Sequence, residues 1–428
     1  MSANREATGQ MARVRYVPLS EVVEFNPRFG KDELHDDSLA SFIPMKCVEE
    51  ESGRFESLED RKVAEVRKGY TPFRDGDVIF AKVTPCMENG KAAVLKGLTN
   101  GVGFGSTEFF ALRPRKDLEP KYLLHYILQS NFRREAARNM TGAVGLRRVP
   151  KSYLERQSIP LPSLPEQRRI VAEIEKQFTR LEAGVAALQR VQANLKRYRS
   201  AVLKAACEGR FAPTEGENLP LLENYGPPNV LPRAWRWVTV VGICEQVVDC
   251  HNKTAPYTES GIPLVRTTNI RDGKIDLAET RFVDQPTYEF WSRRCKPKPG
   301  DVLFTREAPM GEAGIIPDGV TLCMGQRIML LRASPMILNR YLLTALLTPG
   351  LIERITQTAV GSGVKHLRVR DVESLPIPLP PLSEQTRIVA EVDRRLSVVD
   401  ELQAVVSVNL QRVTRLRQAI LEKAFRGE

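Results

Sequence analysis

Residues 159–178 read IPLPSLPEQRRIVAEIEKQF, and residues 377–396 read IPLPPLSEQTRIVAEVDRRL. Twelve of the twenty positions are identical, and most of the others are conservative. The offset of 218 holds without a gap toward the C-terminus, where Arg199 falls on Arg417, Leu203 on Leu421 and Gly209 on Gly427. A repeat of half the chain length means two copies of one unit, since solenoid repeats are roughly 20–50 residues long. Each copy opens on an extended, proline-stiffened stretch, because a residue before proline avoids the helical region. A long helix follows. Ser163, three residues before Glu166, with Pro165 between them, predicts a capping box at the first helix start.

Along the first helix Ile174, Leu181, Leu188, Leu195 and Val202 recur every seven residues. Along the second, Val392, Val399, Val406, Val413 and Ile420 do the same. Companion stripes (Val171, Phe178, Val185; Val389, Leu396, Leu410) complete an a/d pattern, the signature of a coiled-coil seam. The polar interruption at Arg199 repeats at Arg417, so each helix is matched to the other copy rather than to a generic apolar surface. At roughly 40 residues each helix is about 60 Å long, which suits a spacer. Related by a two-fold axis, the pair runs antiparallel.

The regions between are diverged copies. GDVIFAKVTPCMENG (76–90) parallels GDVLFTREAPMGEAG (300–314), each read as a turn, a short buried strand and a loop. STEFFALRP (106–114) parallels GQRIMLLRAS (325–334), and Arg15-Tyr16-Val17 parallels Arg236-Trp237-Val238. A helical pattern follows each STEFF-like strand, and then a Gly-rich basic loop, TGAVGLRRV (141–149) or GSGVKHLRV (361–369). The fold expected is α+β, with a first head at 1–157, a spacer helix at 158–211, a second head at 212–374 and a second spacer helix at 375–428. Residues 212–232, rich in Pro, Gly and Asn, read as a linker. The helices are near-copies even at positions a coiled coil leaves exposed, whereas the heads differ. That combination fits a symmetric spacer presenting two different heads to an asymmetric, two-part target.

The net charge is +11 and the pI near 9.3, so attraction to polyanions is expected. Seven cysteines without a CxxC pair, beside only four histidines, give no zinc spacing and read as reduced thiols of a cytoplasmic protein. No stretch approaches the roughly 18–20 apolar residues of a membrane span, and the N-terminus lacks a signal-peptide core. GVGFG (101–105) lacks the helix and distant acidic residue of a dinucleotide loop and reads as a turn into STEFFAL. No GxxxxGK[ST] phosphate loop is present. Asn26-Pro27-Arg28-Phe29 is similar to the N-P-P-F/Y pocket of amino-methyltransferases, but arginine replaces the second proline and no S-adenosylmethionine loop accompanies it. A carboxylate–lysine nuclease cluster has no signal here.

Sequence readout of DNA needs Arg, Lys, Asn or Gln at base edges, with further cations on phosphates. The candidates are Lys82, Lys91, Arg147 and Arg148 in the first head. In the second they are Arg306, Gln326, Arg327, Lys365, His366 and Arg368. Gln326 and Arg327 match Thr107 and Glu108, a paired site whose difference suits different specificities. His35 and His251 are read as structural.

The order head, helix, head, helix, the doubled IPLPxLxEQxRIVxE element at Ile159 and Ile377, and the GDVLF/GEAGI pattern resemble the DNA-specificity subunits of type I restriction–modification enzymes, over essentially the whole chain. The resemblance implies two target-recognition domains, each reading half of a bipartite site, joined by antiparallel helices that measure the gap. It implies docking of two methyltransferase subunits, which carry S-adenosylmethionine and methylate adenine N6. Separate motor-nuclease subunits would use ATP and magnesium. This chain would then bind double-stranded DNA, no metal and no cofactor, and catalyse nothing. Two other readings are a coiled-coil scaffold for proteins alone, which leaves the basic heads unexplained, and a self-contained methyltransferase or nuclease, which S-adenosylmethionine crosslinking to the isolated chain would reveal.

Overall fold

A computed structural model describes residues 15–30, 33–56, 59–143, 145–211, 231–232, 234–251, 253–361 and 365–426. Most of the expected linker and Gly427 lie outside the described residues. The long helices span Leu164–Cys207 and Leu382–Arg426. The chain forms two compact units that divide within both helices: 1–188 with 408–428, and 189–407. Each head is therefore built onto the start of the helix that follows it and the end of the other.

In the first unit the IPLP stretch becomes the strand Ser158–Leu161, paired antiparallel with Arg15–Pro18, Val17 opposite Ile159. The second unit repeats this with Arg236–Thr239 and Pro376–Leu379, Val238 opposite Ile377. The first head's main sheet is antiparallel, in the order Val23–Phe25, Phe109–Pro114, Val78–Ala81, Ala92–Val94. The second head's is Cys244–Asp249, Ile328–Ala333, Val302–Arg306, Met310–Ile315. Helices Pro120–Ile127 and Asn339–Leu346 follow the matching strands, as the sequence predicts.

The GDV glycines, Gly76 and Gly300, sit at φ 89° and 88°, a left-handed turn that only glycine adopts freely. The buried aspartates after them do two jobs. Asp77 accepts from the Arg74 backbone N–H at 2.8 Å and pairs bidentately with Arg113 at 2.8 and 2.9 Å. Asp301 accepts from Lys298 N–H and pairs with Arg332 in the same way.

Two expectations change here. Residues 102–105 are a buried strand (Val102–Gly105) rather than a turn, lying parallel to Leu39–Ile43 in a second four-stranded sheet. Its glycines answer to crowding, since a Cβ on Gly105 would lie 2.2 Å from the Ile43 carbonyl oxygen. In the second head residues 310–315 form a strand folding straight back on Val302–Arg306, where a loop was expected. In the first head the equivalent connection is the longer loop 82–91.

The helices pack antiparallel within each unit. From Ile170 to Leu188 the facing residues run back from Ala424 to Asn409. Of the predicted seam, Ile174, Leu195, Val202, Val392, Val399 and Val406 are buried, while Leu181, Leu188, Val413 and Ile420 are half-buried. The polar interruptions pair across the seam: Arg417 with Glu182 at 3.7 Å in the first unit, Arg199 with Asp400 in the second. Adding 218 to one partner and subtracting it from the other converts one pair into the other. Arg417 also lies 4.0 Å from the Phe178 ring centroid, a cation–π contact at a coiled-coil position.

The EQ dipeptide fastens each head to its helix. Gln167 is fully buried; its Oε1 accepts from Glu119 N–H at 2.9 Å, and its Nε2 donates to the carbonyls of Asp117 and Pro162. Gln385 does the same with Leu338 N–H, Met336 and Pro380. A second tie repeats too: Tyr122 donates to Pro160, and Tyr341 to Pro378. The expected capping box gives way to this arrangement, with Glu166 turned to Arg169 instead.

Candidate nucleic-acid interface

In the first head, the Lys82 N–H donates to the Glu108 carbonyl, and the Lys82 carbonyl accepts from Val149 N–H, both at 2.9 Å. In the second, Arg306 N–H donates to Arg327, and its carbonyl accepts from Leu367 N–H, at 2.8 and 3.0 Å. These bonds fix a correspondence between the heads. Lys82 answers to Arg306, Thr107 and Glu108 to Gln326 and Arg327, and Arg147 and Arg148 to Lys365 and His366. Each loop also holds a cis peptide before proline, Thr84–Pro85 and Ala308–Pro309.

The side chains on this shared frame differ. Arg147 and Arg148 stand on a two-stranded ribbon, Thr141–Ala143 with Leu146–Arg148, and Arg147 is exposed. The Arg148 guanidinium grips the Glu108 carboxylate, with Nε 2.9 Å from Oε2. That bond holds the Glu108 carboxyl below the usual carboxylate range. At the matching position of the second head the charge is reversed: Arg327 pairs with Glu307 at 3.1 Å. Lys365 and Arg368 are exposed there, and His366 is half-buried and paired through its backbone with Val360. Gln326 is half-buried beside Arg327.

Lys82, Glu108, Arg147 and Arg148 thus come together, as do Gln326, Arg327, Lys365 and His366. Lys91 stands apart from them, its Nζ donating to the Met45 carbonyl at 3.3 Å. Arg306 corrects an expectation. It is 6% exposed, its Nη2 bonded to Asp249 Oδ1 at 2.8 Å and its Nη1 to the Leu367 carbonyl at 2.9 Å. With both ends of the guanidinium engaged inside the head, it props the basic loop from beneath, where an exposed cation was expected. Asp249, which makes this possible, carried no sequence signal, because its partner lies 57 residues away. His35 is exposed.

The sequence reading also passed over EFWSRR (289–294). The short helix Gln285–Trp291, capped by Asp284, ends in Phe290 and Trp291, both packed beside His251. Arg294 Nη1 lies 3.4 Å from the Asp249 carbonyl, which places this cluster next to the Arg306 prop.

The similarity of the helices at exposed positions also has a limit. Val398, Leu402 and Val405 form an exposed apolar stripe on the second helix, and the first helix has Arg180, Gly184 and Ala187 at the matching positions. The first unit carries instead a groove of about 810 Å³ lined by Leu181, Val185, Leu188, Val413 and Leu416.

All seven cysteines are free, and burial pushes the Cys244 and Cys323 thiols up to about 12. Among the described residues no group of three or more His, Cys, Asp or Glu side chains is placed to hold a metal. No described helix is long and apolar enough to cross a membrane.

A family model described as the type I restriction modification DNA specificity domain matches residues 14–188 and 265–403. The chain is 24% identical to the type I restriction enzyme EcoAI specificity subunit of Escherichia coli, covering 96% of this chain and 82% of that protein. To the EcoBI specificity subunit of Escherichia coli it is 28% identical, over 67% of this chain and 62% of that one. A chain solved in work on complex assembly and conformational transition of the type I R-M system superposes with a TM-score of 0.73 at 24% identity, covering 97% of this chain and 99% of the other. The HsdS subunit from Thermoanaerobacter tengcongensis gives 0.56 at 24% identity, with 96% of each chain covered. With two matched copies on the two head-and-helix units, this chain belongs to the type I restriction–modification DNA specificity family.

Proposed function

We propose that this chain reads an asymmetric bipartite DNA site, one half per head, while the helix pair sets the gap and docks two adenine-N6 methyltransferase subunits. The chain itself catalyses nothing. S-adenosylmethionine belongs to the methyltransferase subunits, and ATP and magnesium to motor-nuclease subunits that join the same complex. The observation that carries this reading is the one frame with two faces: backbone bonds equate Lys82, Glu108 and Arg148 with Arg306, Arg327 and His366, and the side chains there differ in size and sign. Identical readers would call for a palindrome; unlike readers call for unlike half-sites. The exposed cations Arg147, Lys365 and Arg368 serve the phosphates, which position without specifying. The apolar groove and stripe on the helices are the surfaces offered to the methyltransferase subunits, since exposed apolar patches mark protein contacts.

Co-expression with a cognate methyltransferase and genome-wide mapping of N6-methyladenine tests this. A single asymmetric bipartite motif is expected, lost when either head is deleted. A soluble, DNA-binding complex that yields no motif would refute it. Inserting four residues, about one turn, into both helices should change the gap and leave both half-sites as they were. An unchanged gap would refute the ruler.

A further inference from the structure

The second head carries an aromatic and basic cluster that the loops described above do not use. His251 stacks at 31° on Trp291, centroids 4.8 Å apart, and lies 5.4 Å from Phe290. Phe290 and Trp291 are themselves 5.4 Å apart. The Arg293 guanidinium lies 4.1 Å over the Phe290 ring, yet Phe290 remains 48% exposed. Arg293, Arg294 and Lys253, the cations nearest the cluster, are all exposed. Burial, and then the charges of Arg293, Lys253 and Arg294, hold the His251 imidazole below its ordinary pKa, so three cations converge on one ring.

The cluster is firmly mounted. Tyr288, on the same short helix, is buried with Ala255, Leu264, Val283 and Cys323, and Trp291 packs against that group. Ser292 is also buried. Trp291 Nε1 and His251 Nδ1 are shielded from solvent and have no hydrogen-bond partner within the protein. Through Arg294, Asp249 and Arg306 the cluster is continuous with the Lys365–Arg368 loop, the candidate DNA-facing element.

Rings held at a surface and rimmed by cations match one chemistry: a base whose face has left the stack, on a chain of phosphates. Stacking on an aromatic ring tolerates any base, and arginine adds cation–π attraction. Adenine methylation supplies such a base, because the target must leave the duplex and its former partner is left unpaired. Building on the function proposed above, we propose that Phe290, backed by His251 and Trp291 and flanked by Arg293 and Arg294, stacks on a base unstacked in the DNA at the second half-site.

The test uses the complete complex with methyltransferase and a duplex in which 2-aminopurine replaces each base of the second half-site in turn. A fluorescence signature at one position is expected with the natural protein. Phe290→Ala should remove it and weaken binding about tenfold, with the salt dependence unchanged; Phe290→Tyr should restore both. Phe290→Leu, which keeps bulk without a π face, should behave like Phe290→Ala. Arg293→Ala with Arg294→Ala should lower the salt slope by about two and leave the signature at the same position. An unchanged signature and affinity in Phe290→Ala, or full activity in Phe290→Leu, would overturn the proposal. So would a loss of subunit assembly with DNA affinity intact, which would make the cluster a protein contact. Loss of the bipartite methylation motif in the unaltered complex refutes the function; a motif indifferent to Phe290 refutes the platform alone.

Discussion

The two heads share a scaffold and differ in what stands on it. The glutamine lock, the GDV aspartate–arginine pair, the tyrosine tie and the strand made from IPLP recur residue for residue. At the loops the same backbone bonds carry Lys82 or Arg306, Glu108 or Arg327, Arg148 or His366. These shared ties centre on buried side chains held by packing and hydrogen bonds. Exposed ones are free to follow a ligand. On the function proposed above, the differences at exposed positions are where the two heads would read different half-sites.

The sharpest break in that comparison is Lys82 against Arg306. Arg306→Ala leaves Asp249 without its cation and should cost about 3 kcal/mol of stability in chemical denaturation of the second unit. Lys82→Ala should cost little stability and lower the salt slope of DNA binding by about one. Equal destabilisation by both would mean the heads use this position alike.

The glutamine locks should behave as equals. Gln167→Ala and Gln385→Ala each remove a buried amide that satisfies one backbone N–H and two carbonyls, a loss of about 2 kcal/mol. Hydrogen exchange should show each loss confined to its own unit. A loss in one head only would end the equivalence of the frames.

The charge reversal is next in size. Glu108→Gln should alter base preference at one position of the first half-site by about 1–3 kcal/mol, and Arg327→Ala should do so in the second, read as a changed methylation motif. Uniform weakening across all sequences would assign both residues to the backbone.

The smallest effect separates the units by acid. His125 is buried edge-on against Phe178, and burial, with Arg417 and Lys121 nearby, lowers its pKa to about 3. At the matching position in the second unit stands Thr344, whose hydroxyl donates to the Arg340 carbonyl. The folded first unit keeps His125 neutral while the unfolded chain protonates it below about 6.5. Stability is unaffected above that pH and falls as pH drops from 6.5 toward 3, by about 1 kcal/mol at pH 5.5. Exchange rates measured against pH should show the first unit loosening first, and His125→Thr should remove the difference.

Much of the architecture could be read from the chain. A repeat of twelve identities in twenty, carried by sustained heptads, leaves one economical arrangement, and the matched polar positions even named the helix partners. The strands were harder. GVGFG looked like a turn because glycine signals turns, whereas here a parallel neighbour presses too close for a side chain. Of the site, the basic loops were visible as composition. Their grouping was not, nor was the burial of Arg306, since an exposed and a buried arginine are written alike.

The sequence by itself determined the duplication, the head–helix order, the antiparallel seam and the basic character, because these rest on periodicity and local chemistry. Only the tertiary structure decided which cations are spent inside the fold, which residues of the two heads correspond, and that EFWSRR stands beside the basic loop. Those outcomes depend on contacts between residues tens to hundreds of positions apart, such as Asp249 with Arg306 or Ser130 with Gln418, and no local pattern encodes them.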